Sequence, residues 1–320
     1  MTAKQPLHLP ETMNSKGYKD PLYNKIYDNL FRCFYSLDPR FAAPIDNKID
    51  NFIVDATSLL KAAEYLGAGP AVRLIVEANF LRLNQLLWKH VARNSAAWTD
   101  ISLRLQSPTI FRAAMAHVVG RFDLQDRDGV DKEFLRNQPN GTLLMEFATK
   151  KAAELKDRKL WIERLLTEYY PIKMHHPENP ATKTPGRDTY GNDIYLWQAL
   201  TLVRQYFASA MLSNLHHRAN DGGAYFYHCI GQGGDSYLNK DVLERFHENF
   251  AMSTKGKECL HMAVAFMKKS MQKIVEPLLE DQSQISRRPD DPKPRYLTCS
   301  EIEDDELPWL AGRTNCDDAD

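Results

Sequence analysis

Cysteine is scarce in this chain of 320 residues, and its five members are spread thinly, at Cys33, Cys229, Cys259, Cys299 and Cys316. No Cys-x-x-Cys pair occurs and the number is odd. That excludes a disulfide framework of the small secreted kind and points to reduced thiols. Long apolar runs are also missing. Stretches such as Met262 to Met267 or Ala113 to Ala116 are far too short to cross a bilayer. Residues 1–20 lack the apolar centre of a signal peptide and read as a flexible leader, broken by Pro10, Asn14, Ser15 and Gly17. The expected address is the cytoplasm or the nucleus. An excess of one charge is absent too: 41 Lys and Arg against 42 Asp and Glu leave a net charge of -1. No global positive field gathers phosphates, so neither nucleic acid nor a membrane is expected as a direct partner.

What is present is ordinary globular material, 43% apolar and 26% charged, enough to bury a core without staples. Alternating polarity is nowhere sustained, and no repeat of fixed period appears, so the expected fold class is mainly α. Leu22 to Tyr35 places Leu22, Ile26, Leu30, Phe31 and Phe34 at helical intervals. Ile49, Phe52, Ile53, Ala56, Leu59, Leu60 and Ala63 form a wide apolar stripe that Gly67, Gly69 and Pro70 close. A third helix carries Val72 to Leu87, and a fourth starts after Asn94-Ser95. Ser107-Pro108 opens a fifth, cap then proline at the first helical position, which Gly120 closes.

The polar run 123–141 is the expected internal boundary. Beyond it, Thr142 to Tyr170 reads as one helix or a helical pair, and residues 171–187 read as a proline-broken loop. Asn192 to His216 is the clearest helix of the second half, with Ile194, Trp197, Leu200, Val203, Arg204, Phe207, Met211 and Leu215 on its face. Residues 219–236 read as a glycine-rich insert, followed by helices near 239–250 and 254–279. Residues 281–320 read as a largely unstructured acidic tail, since 301–320 hold eight acids against Arg313 alone. Within it, Ser300 and Glu303 suggest a capped turn bearing Leu307 and Trp309, and Leu307-Pro308-Trp309 suggests a docking peptide.

Candidate chemistry is thin. The segment IGQGGDSY (Ile230 to Tyr237) has neither the Lys-Ser/Thr of a phosphate loop nor the third glycine of a dinucleotide fingerprint, so it reads as a structural turn. Asp126, Asp128 and Asp131 miss the calcium-loop spacing, because Val130 and Asp131 stand where a ligand and a glycine are required. His175, His176, His216, His217, His228, His247, Cys259 and His261 are material for a metal but lack zinc-site spacing. No Gly-x-Ser-x-Gly elbow occurs. No catalytic, cofactor-binding or metal residue is assigned, and no cofactor is expected. Aromatic clusters are the strongest feature: Tyr23, Tyr27, Phe31, Phe34 and Tyr35 in one segment, Tyr225, Phe226 and Tyr227 in another. Core packing is the first expectation for them, a partner surface the second.

The order of segments supplies a resemblance. LYNKIYDNLFRCFYSLDPRF followed by IDNFIVDATSLLKAAEYLG, with Ala56, Leu59, Leu60, Ala63, Tyr65, Leu66 and Gly67, resembles the second half of a BTB/POZ domain. Leu87-Trp88, LRLQSPTIFRAAMAHVVG, Tyr169–Pro171, Tyr190–Leu200, Gly233–Val242, Met252–Leu260 and the YLTC stretch before Pro308-Trp309 resemble the helical region of filamentous-fungal BTB-domain proteins. The resemblance implies a partial BTB-like part at 21–85, helices over 86–280 and the tail over 281–320. Residues 1–20 show nothing of the family's opening half, which carries much of its dimer interface. A BTB-type homodimer and a ubiquitin-ligase adaptor role are therefore not expected. The expected function is a non-catalytic protein–protein interaction scaffold of BTB-like type with protein partners, in a chromatin setting if its address is nuclear. The alternative is a helical enzyme or metal-binding protein with an unrecognised site.

Overall fold

The computed structural model describes residues 21–124, 129–171, 190–213, 219–288, 291 and 294–310. The leader over 1–20, most of the loop over 171–187 and the last ten residues of the tail lie outside them. The described residues are mainly helical, with one isolated antiparallel bridge between Ile45 and Lys48 and no strand among them. The mainly-α class is therefore the observed one. The chain divides into two compact units, Met1–Asn94 with Trp98–Phe111 and Asp304–Asp320, and Ser95–Ala97 with Arg112–Glu303. Residues 123–141 lie inside the second.

The first unit contains α1 (Pro21–Phe34), α2 (Asp50–Tyr65), α3 (Gly69–Leu81), α4 (Gln85–Arg93), most of α5 (Ser95–Leu105) and the start of α6 (Pro108–Arg121). The stripe Phe52, Ala56, Leu59, Leu60 and Ala63 is buried as its spacing predicts. An aromatic chain runs from Phe41 to Phe52, Phe80 and Trp98 with centroids 4.8, 5.4 and 5.1 Å apart. Trp98 Nε1 donates to His90 Nδ1 at 2.9 Å, which satisfies the buried indole. The helix expected over Val72 to Leu87 is two helices, because Asn84 takes a left-handed φ of 50° and breaks the ladder. Ser107 caps α6 as expected, accepting from the Ile110 amide at 3.3 Å.

The docking peptide expected at Leu307-Pro308-Trp309 is not free. Leu307 is buried, and Trp309 meets Phe111 edge-on at 5.4 Å. Despite the acidic neighbours, these two apolar residues hold the turn against the unit.

The second unit contains α7 (Lys132–Arg136), α8 (Gly141–Glu168), α9 (Tyr190–Ser213), α10 (Ala224–Gln232), α11 (Lys240–Asn249) and α12 (Thr254–Leu279). Asp131 accepts from the Phe134 amide and caps α7. The axis is α12, which contacts α8, α9 and α10. Leu260, Val264, Met267, Met271, Val275 and Leu278 are all buried, at spacings of three and four. Asn239 and Ser253 cap α11 and α12 by accepting from the Val242 and Gly256 amides. The expected insert at 219–236 instead holds α10, whose Phe226, Tyr227 and Ile230 are core residues.

The tail also departs from expectation. Leu297, Cys299 and Ile302 are buried as a strap without regular structure. Arg112 Nε donates to the Ile302 carbonyl at 2.7 Å, and the Gln282 amide donates to the Thr298 carbonyl at 3.0 Å. The helix α6 ends at Arg121, one residue past the expected Gly120. A Cβ on Gly120 would collide with the Leu297 carbonyl oxygen, so the glycine is where the strap lies on the helix.

Candidate protein-interaction surface

The α9 face contradicts its expected burial in part. Ala199, Leu200, Val203 and Phe207 are buried, but Trp197 is 51% exposed and Ile194 is exposed. The sequence offered more apolar positions than one helix face can hold. Trp197 meets Tyr170 edge-on at 5.7 Å, and the Arg204 guanidinium lies over the Tyr170 ring at 5.3 Å while donating to the Tyr169 carbonyl at 3.2 Å. Tryptophan, tyrosine and arginine held together by packing have the composition of an interface hot spot.

In the other unit, the α1 aromatics run against their first expectation. Leu30 and Cys33 turn inward, whereas Tyr27, Phe31 and Phe34 are exposed, and Tyr35 just beyond the helix is 77% exposed. On a helix only one stripe is covered, and here the covered stripe is the aliphatic one. Tyr225, Phe226 and Tyr227 divide in the same way, the first exposed and the other two buried, because neighbours on a helix point about 100° apart.

The turn bearing Gly233 and Gly234 is tied by its carbonyls. Lys268, itself buried, donates to Gly234 O at 2.6 Å and Leu238 O at 3.0 Å, and its ammonium lies 5.0 Å from the Tyr237 ring centre. Gly233 and Gly234 adopt φ of 63° and 52°, which a glycine takes at no steric cost. Tyr206 stacks on Tyr237 at 5.0 Å, and burial raises the Tyr206 hydroxyl to about 12.

A polar cleft of about 400 Å³ opens beside Lys159, lined also by Asp123, Leu124, Lys156, Asn220 and Gly222. Lys159 is 9% exposed and donates to the Gly222 carbonyl at 2.9 Å. Burial depresses its pKa, opposed by the charges of Cys299, Asp123, Glu163 and Asp221. Nothing in the sequence marks Lys159 or Lys268 as buried, since both stand among other lysines and arginines on long helices.

Of the metal-type residues, His247 and His261 come together, with Nε2 atoms 3.2 Å apart. Cys259 is half-buried, and His228 borders a second cleft near Tyr296. Among the described residues no three metal-type side chains converge. His175, His176, His216, His217 and Cys316 lie outside the described residues, as do Asp126 and Asp128. No described helix is long and apolar enough to cross a membrane.

A family model described as FF domain, in its fungal form, matches residues 171–277, the stretch holding α9 to α12. No curated protein and no solved structure matches the chain. The FF domain is a protein–protein interaction module, so this part of the chain is similar to such a module. The BTB/POZ resemblance is corrected by this match, which is to a different family and covers Tyr190–Leu200, Gly233–Val242 and Met252–Leu260, segments on which the resemblance drew. One element of the resemblance, Ala56, Leu59, Leu60 and Ala63, is the buried stripe that any helix packed on one side displays. The BTB-like assignment of 21–85 and of the scaffold type falls with it. What the comparison supports is helical, protein-binding character, with protein partners, over about the last third of the chain before residue 278.

Proposed function

We propose that the chain is a non-catalytic interaction scaffold whose partner-binding work is done by the unit containing α9–α12, with Tyr170, Trp197 and Arg204 at its contact point. The observation that carries this is the FF-domain match over the segment that folds as α9, α10, α11 and α12. Trp197 lies inside that match and is half-exposed while already braced by Tyr170. An aromatic that is ordered before binding loses little freedom on contact, which favours affinity. The partner is a protein, and the address proposed is the cytoplasm or nucleus, where thiols such as Cys33, Cys229 and Cys299 stay reduced.

The test is affinity capture from the source cells with full-length wild-type and Trp197→Ala baits. Loss of specific partners on Trp197→Ala, with thermal stability kept, supports the reading. Specific partners retained equally by both baits reject the contact point, and a wild-type bait that retains no protein above control rejects the function.

A further inference from the structure

His247 on α11 and His261 on α12 hold their imidazoles almost parallel, with centroids 5.4 Å apart, an interplanar angle of 27° and Nε2 atoms 3.2 Å apart. His247 is 6% exposed and lies against Phe246, so its ring is fixed by packing. A separation of 3.2 Å is at the long end for a hydrogen bond between nitrogens. It also matches the separation of two imidazole nitrogens bound to one metal ion. Zinc lies 2.0–2.1 Å from each imidazole nitrogen, and a tetrahedral angle then puts the two nitrogens roughly 3.3 Å apart.

Each histidine also closes a Glu-x-x-His spacing, Glu244 before His247 and Glu258 before His261. Residues three apart on a helix share a face, so each imidazole has a carboxylate one turn away. Glu244 is held only by an exposed pair with Lys240 at 3.6 Å, a weak tie that a metal replaces easily.

We propose that His247, His261 and Glu244 form a binding site for a divalent transition-metal ion of the zinc class, which pins α11 to α12. The site needs one movement, a rotamer change that brings the exposed Glu244 carboxylate to the imidazole pair.

The test titrates zinc ion alone into the full-length protein by calorimetry at neutral pH, for the wild type, His261→Gln and Glu244→Gln. Circular dichroism reports the helical content of each. The expected result is one zinc ion bound by the wild type that both variants weaken about tenfold or more. Zinc should also raise the unfolding temperature of the wild type and leave that of His261→Gln unchanged. His261 is only half-buried, and Glu244→Gln keeps both imidazoles, so if one variant loses helix the other decides. Zinc uptake that is absent from the wild type, or equal in the wild type and a folded variant, overturns the proposal.

Discussion

His117 on α6 and Tyr296 in the strap are 179 residues apart in sequence, yet His117 Nδ1 and the Tyr296 hydroxyl are hydrogen-bonded at 2.9 Å. Their rings meet edge-on at 5.8 Å, and the Arg121 guanidinium lies 5.1 Å from the Tyr296 ring centre. His117 is fully buried, and burial, reinforced by Arg121, lowers its pKa from 6.5 to about 4. Between those values the unfolded chain takes up a proton that the folded chain refuses, so stability falls as the pH drops through this window. The loss attributable to His117 is roughly 3 kcal/mol at most. Urea midpoints of wild type and His117→Gln, measured from pH 7 down to pH 4, should show a shallower decline in the variant. Parallel declines would remove His117 as the cause.

Gly120→Ala should be costly although α6 is a helix and alanine the better helix former. The new Cβ meets the Leu297 carbonyl oxygen, a backbone atom that cannot rotate away. Displacing the strap should cost about 1–3 kcal/mol, as overpacking does. Hydrogen exchange should speed up at 294–303 before it does elsewhere. A variant as stable as the wild type would show that the strap does not need this approach.

Lys268→Met keeps the apolar stem and removes the ammonium. The carbonyls of Gly234 and Leu238 each lose a donor, which should cost about 2 kcal/mol or more in all. Faster amide exchange confined to 233–238 would locate the effect. An unchanged melting temperature would mean that solvent replaces the ammonium without penalty.

The two side-chain caps of the FF-matched segment should act separately. Asn239→Ala and Ser253→Ala should each cost about 1 kcal/mol, and the double variant about their sum, since each cap serves its own helix end. Equilibrium denaturation of the three variants checks both the size and the additivity.

Much of the fold was legible where local rules act alone. The 3.6-residue period located α2, α6, α8, α9 and α12, and the helix expected near 254–279 is α12, Thr254–Leu279. Misreadings arose where a distant segment decides. Gly120 looks like a helix stop until Leu297 is laid across it, and the acidic stretch after Tyr296 looks solvated until Leu297, Cys299 and Ile302 are seen buried. The exposed faces were the least legible. A stripe such as Ile194, Trp197, Leu200 and Val203 gives the helix, but which of its members faces solvent depends on the neighbours. His247 and His261 were both named from sequence, yet nothing in their spacing of fourteen residues indicated that they meet.

The strap has a consequence for biosynthesis. Chains emerge from the ribosome beginning at the N-terminus and fold as segments become available. The α6 groove at Gly120 and His117 appears early, but Tyr296 and Leu297, which fill it, are translated about 180 residues later. Until then the buried wall of α6 stays open to water and to other nascent chains. A chaperone requirement confined to that interval would follow.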